Sequence, residues 1–225
     1  MRLGGLRINP KTNISSRQRY NTDIKVRVGR TSKEETAAGL PENGRYSNFS
    51  WSPNQKMMAF TNTVSNGVEL WILDIEAKTV KKISDANLNA NTGMPFSWFK
   101  DSNSLLVKTI SKDKKPLIDT KTAVPTGPTI SVSEQGVKAQ NRTYQDLLKN
   151  KSDEHNFEQL ALAELHKVDL NGNKIVWKGN DMYRGMSFSP DGDYILVTTI
   201  EKPFSYLVPY SRFPSKTTIY NADGN

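Results

Sequence analysis

The chain has 225 residues, 36 % of them hydrophobic and 9 % aromatic, which is enough apolar material to bury a core. No stretch approaches the roughly 18 consecutive apolar residues of a helical membrane span, and Met1 to Pro10 lacks the apolar run of a signal peptide. The absence of cysteine excludes disulfides, thiol nucleophiles and thiolate metal sites, while 31 Lys and Arg against 23 Asp and Glu give a formal charge of +8. That charge is scattered, for example over Lys78, Lys81, Lys82, Lys108, Lys112, Lys114 and Lys115, and no nucleic-acid-reading motif organises it. These lysines are expected on solvated strand edges and turns, where charge discourages sheet-to-sheet association.

In chain order, Leu6-Arg7-Ile8 followed by Asn9-Pro10-Lys11-Thr12-Asn13 predicts a strand and turn, and Asp23 to Val28 alternates Ile24, Val26 and Val28 like the next strand. A hairpin follows at Phe49 to Phe60, then strands at Val68 to Ile75 and Val80 to Ile83. A second hairpin spans Phe96 to Val107. After it, 111–162 reads as an insertion, with a predicted helix over Thr143 to Asn150 that places Tyr144, Leu147 and Leu148 on one face. Strands resume at Leu165 to Leu170 and, past the turn Asn171-Gly172, at Lys174 to Trp177. A third hairpin covers Met186 to Val197, and Thr218 to Tyr220 runs into a final turn at Asn221 to Asn225.

The three hairpins are one motif written three times: Phe49-Ser50-Trp51-Ser52-Pro53-Asn54, Phe96-Ser97-Trp98-Phe99-Lys100-Asp101 and Met186-Ser187-Phe188-Ser189-Pro190-Asp191, each followed by an apolar strand. Ser50, Ser97 and Ser187 stand 47 and 90 residues apart, and the insertion accounts for the doubled interval. Four antiparallel strands repeated at a period in the forties match a β-propeller blade. The expected fold is therefore all-β, an incomplete β-propeller of four-stranded antiparallel blades, two full and two partial, with a partly helical insertion. Residues 1–45 are read as the end of a preceding blade, 46–93 as a blade, 94–183 as a blade carrying the insertion and 184–225 as an incomplete blade. A closed ring needs typically four to eight blades, so unpaired edges are expected. The residues Phe49, Trp51, Phe96, Trp98, Met186 and Phe188 are expected to point into the packing between blades.

Four segments carry a family resemblance: Gly5 to Asn13, Val124 to Pro128, Gln140 to Leu148 and Lys202 to Pro214. Through them nearly the whole chain resembles the propeller of glutamyl endopeptidases, serine peptidases of the prolyl oligopeptidase class. The resemblance implies an α/β-hydrolase catalytic domain as partner, lying C-terminal to this sequence, and a peptide substrate cleaved after glutamate. It also implies periplasmic or secreted localisation where the full-length protein carries an export signal, which, with an initial blade, would lie before Met1. No nucleic acid, membrane or cofactor is expected.

The chemistry of such a peptidase is not written in this chain. A nucleophile elbow, Gly-x-Ser-x-Gly, is absent, and Gly185-Met186-Ser187-Phe188-Ser189 lacks the second glycine. His155 and His166 are the two histidines; the first is read as a solvated loop residue and the second as a strand residue, and no catalytic or metal-ligating residue is expected. Asp153, Glu154 and Glu158 are read as a solvated turn leading into a helix. In an up-and-down meander, the loop between second and third strands shares a rim with the loop into the next blade, so the insertion and Phe204 to Phe213 decorate one rim. Arg184, Tyr206 and Arg212 are the candidate substrate-facing or interdomain residues, the arginines because a planar guanidinium suits a substrate carboxylate. Two functions remain open on these grounds. One is a propeller that gates access and docks a hydrolase domain, inactive alone; the alternative is a free-standing propeller-type interaction module.

Overall fold

A computed structural model describes residues 1–29, 33–119 and 144–225. The chain opens with a short meander, β1 (Arg2–Leu3), β2 (Leu6–Asn9) and β3 (Ile14–Ser15), followed by the small ladder of β4 (Lys25–Val26) with β5 (Glu35–Thr36). Three larger sheets follow. The first is β6 (Tyr46–Trp51), β7 (Met57–Thr63), β8 (Val68–Asp74) and β9 (Thr79–Lys82). The second is β10 (Phe96–Trp98) and β11 (Ser104–Ile110), then, beyond helix α1 (Lys151–Ala161), β12 (Ala163–Asp169) and β13 (Lys174–Asp181). The third is β14 (Tyr183–Phe188), β15 (Tyr194–Ile200) and β16 (Ser215–Asn221). Every ladder within these sheets is antiparallel between sequence neighbours, the architecture of an incomplete propeller.

Each repeated hairpin is closed by its own side chains. In the first, the Ser52 hydroxyl accepts the Met57 amide and donates to Asn54, while Gln55 takes a left-handed φ of 60°. In the third, Ser189 and Asp191 do the same around Tyr194, and Gly192 supplies φ 79° without strain. The second uses Asp101, whose carboxylate accepts from the amides of Asn103 and Ser104. These local bonds set the register that sends alternate residues to opposite faces.

The sheets pack face to face in sequence. Between the first and second lie Ala59, Val68, Leu70 and Ile72 against Phe96, Trp98, Leu105 and Val107. Burying each large side chain is worth roughly 1.5–3 kcal/mol. Between the second and third lie Phe99, Leu106, Leu165 and Trp177 against Ile195 and Val197, with Met186 and Phe188 half-buried beside them. Indole donors tie the junctions: Trp98 Nε1 donates to the Ser50 carbonyl at 3.1 Å and Trp177 Nε1 to the Ala222 carbonyl at 3.0 Å. In front of the first sheet, Val26 and Ala37 cover Tyr46, Phe60 and Leu73.

Trp51, Trp98 and Phe188 hold equivalent positions, paired with Met58, Leu105 and Ile195, each the second residue of its second strand. The expectation that all six first-strand residues point into a junction is nevertheless corrected. Trp98 is buried at 6 % exposure, yet Trp51 is 54 % exposed and Phe49 sits at 36 %, stacked on Phe60. The position faces the preceding sheet, and the segment in front of the first sheet stops short of Trp51. At the other end, Tyr194, Leu196 and Ile219 stay exposed on the outer face of the third sheet.

Three further expectations are revised. Residues 144–150 are not helical; the helix begins at Lys151, because Asn150 accepts the Asp153 amide as its N-cap and Asp153 in turn accepts the Lys149 amide. Thr143 lies outside the described residues. The run Asp23 to Val28 contributes only Lys25–Val26, which pairs with β5 rather than with β2, and Gly29, at φ 84°, ends the extension. Lys108, read as a solvated charge, is 1 % exposed on β11.

Candidate functional site

The decorated rim is built around one residue. Phe157, fully buried on α1, meets the rings of Phe204 at 5.2 Å, Phe213 at 5.5 Å and Tyr210 at 6.4 Å. Leu3, Ile8, Leu148, Leu160, Met182 and Ile200 complete this apolar cluster. It joins the opening meander, the insertion helix and the 204–213 segment into one unit. Backbone bonds reinforce it: the Tyr210 amide donates to the Gly4 carbonyl and the Gly5 amide to the Asp146 carbonyl. Gly5 stands at φ 84°, and a Cβ there would lie 2.7 Å from Pro209 Cβ, so only glycine allows this approach. The helix end is held by amides: the Leu160 carbonyl accepts from Asn91 at 2.8 Å and Asn89 at 3.1 Å. The alternating asparagines of Asn87 to Asn91 were a legible signal that sequence reading passed over.

Of the candidate residues, Tyr206 and Arg212 reach this rim. The Tyr206 phenol is pushed up to about 12 by burial and by its hydrogen bond with Glu154. Arg212 is exposed and holds its guanidinium 5.2 Å from the Tyr144 ring centre. Arg184 is half-buried on β14, its backbone beside Gly93, and among the described residues no hydrogen bond, ion pair or ring contact joins it to the other two. The segment Val124 to Pro128 lies outside the described residues.

The histidines have structural surroundings. His155 lies on α1 rather than in a loop, and its Nε2 is 2.9 Å from the Pro116 carbonyl. His166 is buried on β12, with Nδ1 3.0 Å from the Thr109 hydroxyl and Nε2 3.4 Å from Glu164. Thr109, His166 and Glu164 thus follow the order of a nucleophile, base and carboxylate. Thr109, however, pairs with Glu164 in the middle of a regular ladder, without the exposed elbow that acyl transfer needs. Burial is the main influence on His166 and pulls its pKa below 6.5, against the attraction of Glu164. The unfolded chain then binds more protons than the fold over this range. Stability is expected to be full above about pH 6.5 and to fall as pH drops toward the folded value. Urea midpoints between pH 5 and 7 check this, and His166→Asn should flatten the slope. Among the described residues no group of three or more His, Asp or Glu is placed to hold a metal ion.

Lys108 is the other buried ionisable group. Its ammonium donates to the Thr92 carbonyl, and reaches the Thr92 hydroxyl at 3.3 Å and the Tyr183 carbonyl at 3.4 Å. The Thr92 hydroxyl itself donates to the Tyr183 carbonyl at 2.7 Å. Burial brings the Lys108 pKa down to about 7.

No protein-family model matches the chain. The probable chloroplastic glutamyl endopeptidase of Oryza sativa subsp. japonica is 32 % identical over 238 residues, covering 99 % of this chain and 25 % of that protein. Its counterpart in Arabidopsis thaliana is 31 % identical, again over 99 % of this chain, and is covered to 24 %. Among solved structures, the acylaminoacyl peptidase of Pyrococcus horikoshii superposes with a TM-score of 0.46 at 16 % identity, over 86 % of this chain and 25 % of that one. The chain spans about a quarter of the length of the curated relatives it matches. That similarity runs the whole length of the chain, so this incomplete propeller of meandering antiparallel sheets corresponds to about a quarter of a protein similar to the probable glutamyl endopeptidases.

Proposed function

We propose that the chain is the non-catalytic propeller segment of a serine peptidase, gating substrate access to an α/β-hydrolase domain and docking it. The observation that carries the reading is the similarity of 99 % of the chain to proteins described as glutamyl endopeptidases. The rim supports it, because three separate parts of the chain meet there around Phe157, and a surface assembled so widely is suited to contact a further domain. In this reading 1–45 closes a preceding blade, 46–93 and 94–183 are blades, and 184–225 opens another. The exposed Tyr194, Leu196 and Ile219 then await the next sheet, as the first sheet's inner face receives Trp98.

Arg184, Tyr206 and Arg212 are assigned to the substrate-facing or interdomain surface, with peptides carrying glutamate as the substrate class. The test uses a protein in which this chain is joined to a glutamyl endopeptidase hydrolase domain. Arg184→Ala and Arg212→Ala are each expected to lower kcat/KM for a glutamyl peptide about tenfold more than for its glutaminyl analogue, the scale of a charged hydrogen bond. Equal losses on both peptides refute substrate contact, and a hydrolase domain fully active without this chain refutes the gating role.

A further inference from the structure

On the rim, two arginines share one carboxylate and a third stands near it. Arg2 and Arg7 stand directly opposite each other across β1 and β2, a like-charge pairing that is unfavourable by itself. Asp146 relieves it: Arg7 Nε donates to Oδ2 at 2.5 Å and Arg2 lies 3.6 Å from Oδ1. The hydrogen bond from Arg7, with the charges of Arg7, Arg2 and Arg17 behind it, holds the Asp146 carboxyl below the usual carboxylate range. One anion therefore faces three cations. Arg17 is exposed, and its guanidinium has no hydrogen bond or ion pair among the described residues.

Arg7 and Arg17 line one cleft of about 380 Å³, together with Gly5, Tyr144, Asp146 and Pro209. That volume falls in the range of small-ligand sites. Its walls are preorganised: the Gly5 amide is tied to the Asp146 carbonyl, and Arg212 packs over Tyr144 from outside. A site with surplus guanidinium, one flat aromatic wall and a fixed backbone suits a planar carboxylate, which can take two parallel N–H bonds from Arg17.

We propose that this cleft binds a side-chain carboxylate of an acidic peptide segment, with Arg17 as the principal donor and Arg7 as the flanking charge. The ligand's being a peptide rests on the function proposed above, but the binding belongs to this chain alone and needs no hydrolase domain.

The experiment titrates the purified 225-residue chain with a blocked five-residue peptide containing two glutamates, and with its glutamine counterpart, following backbone amide signals by NMR. The glutamate peptide is expected to shift the signals of Gly5, Arg7 and Arg17, with at least tenfold weaker response to the glutamine peptide. Arg17→Gln should lose about tenfold in affinity, Arg17→Lys should recover part of it, and Lys56→Gln, at an exposed turn outside the cleft, should leave it unchanged. Because the Arg17 guanidinium is exposed and, among the described residues, has no hydrogen bond or ion pair, these variants should keep the thermal midpoint of the parent. Equal binding of the two peptides, indifference to Arg17→Gln, or displacement by equimolar inorganic phosphate each overturns the site. Loss of binding in Arg184→Gln but not Arg17→Gln overturns the cleft while leaving the peptidase reading intact. Failure of the chain to serve a hydrolase domain, with binding retained, overturns only that reading.

Discussion

Purified alone, the chain is expected to leave a peptide with glutamate before the scissile bond uncut, while the same chain joined to an α/β-hydrolase domain turns it over. Enzymes lower barriers enough for accelerations of about a millionfold or more, and for acyl transfer this requires a nucleophile, its base and an oxyanion hole in mutual reach. The sequence contains no Gly-x-Ser-x-Gly. Its nearest approach, Ser187, is paired with Leu196 inside β14 and β15, and the hydrogen bonds of the two histidines go to Thr109 and the Pro116 carbonyl instead. The other arrangement, Thr109 with His166 and Glu164, lies flat on a sheet with Thr109 only 5 % exposed. Cleavage by the 225-residue chain that survives rigorous purification and is blocked by a serine-directed inhibitor would show that one of these groups works as a nucleophile.

Strand positions were legible because they depend on local chemistry. Ser52, Asp101 and Ser189 close their turns with bonds reaching no more than five residues, so the hairpins declare themselves in any window of the sequence. The helix was displaced for a related reason. Tyr144, Leu147 and Leu148 satisfy helical spacing, and Leu147 and Leu148 are indeed buried. Periodicity alone, though, did not weigh the Asn150 cap against them. What depends on distant partners was out of reach. Trp51 and Trp98 have matching local sequence but opposite exposure, decided by which segment stands in front of each sheet. The rim is the strongest case, because Arg7 and Asp146 are 139 residues apart and no spacing rule connects them.

Lys108 shows the same limit and sets the largest expected pH effect on stability. β11 is buried along all but its last residue, yet a lysine, by its charge, reads as an outward residue in any strand. Instead it reaches the junction between the second and third sheets and donates to the carbonyls of Thr92 and Tyr183. With the amine at about 7 in the fold and near 10.4 in the unfolded chain, the unfolded state binds more protons throughout that interval. Stability is therefore fully present above the unfolded value and lost as pH falls through the folded one. Each pKa unit is worth about 1.4 kcal/mol, so raising the pH from 7 to 9.5 should add on the order of 3 kcal/mol. Tyr46, Tyr183 and Tyr206, all shifted upward by burial, oppose this only near pH 10 and above, where unfolded tyrosine ionises. Lys114 and the amino terminus, both lowered, add to the rise, so the discriminating measurement is a difference. Lys108→Met removes the buried amine and leaves the Tyr183 carbonyl its bond from Thr92. Urea unfolding at several pH values should find the variant at least as stable as the parent at pH 7. At pH 9.5 it should be less stable, because the neutral amine then donates its bonds without a charge to desolvate. Parallel profiles for the two proteins would show that Lys108 keeps an ordinary pKa and that the junction admits water.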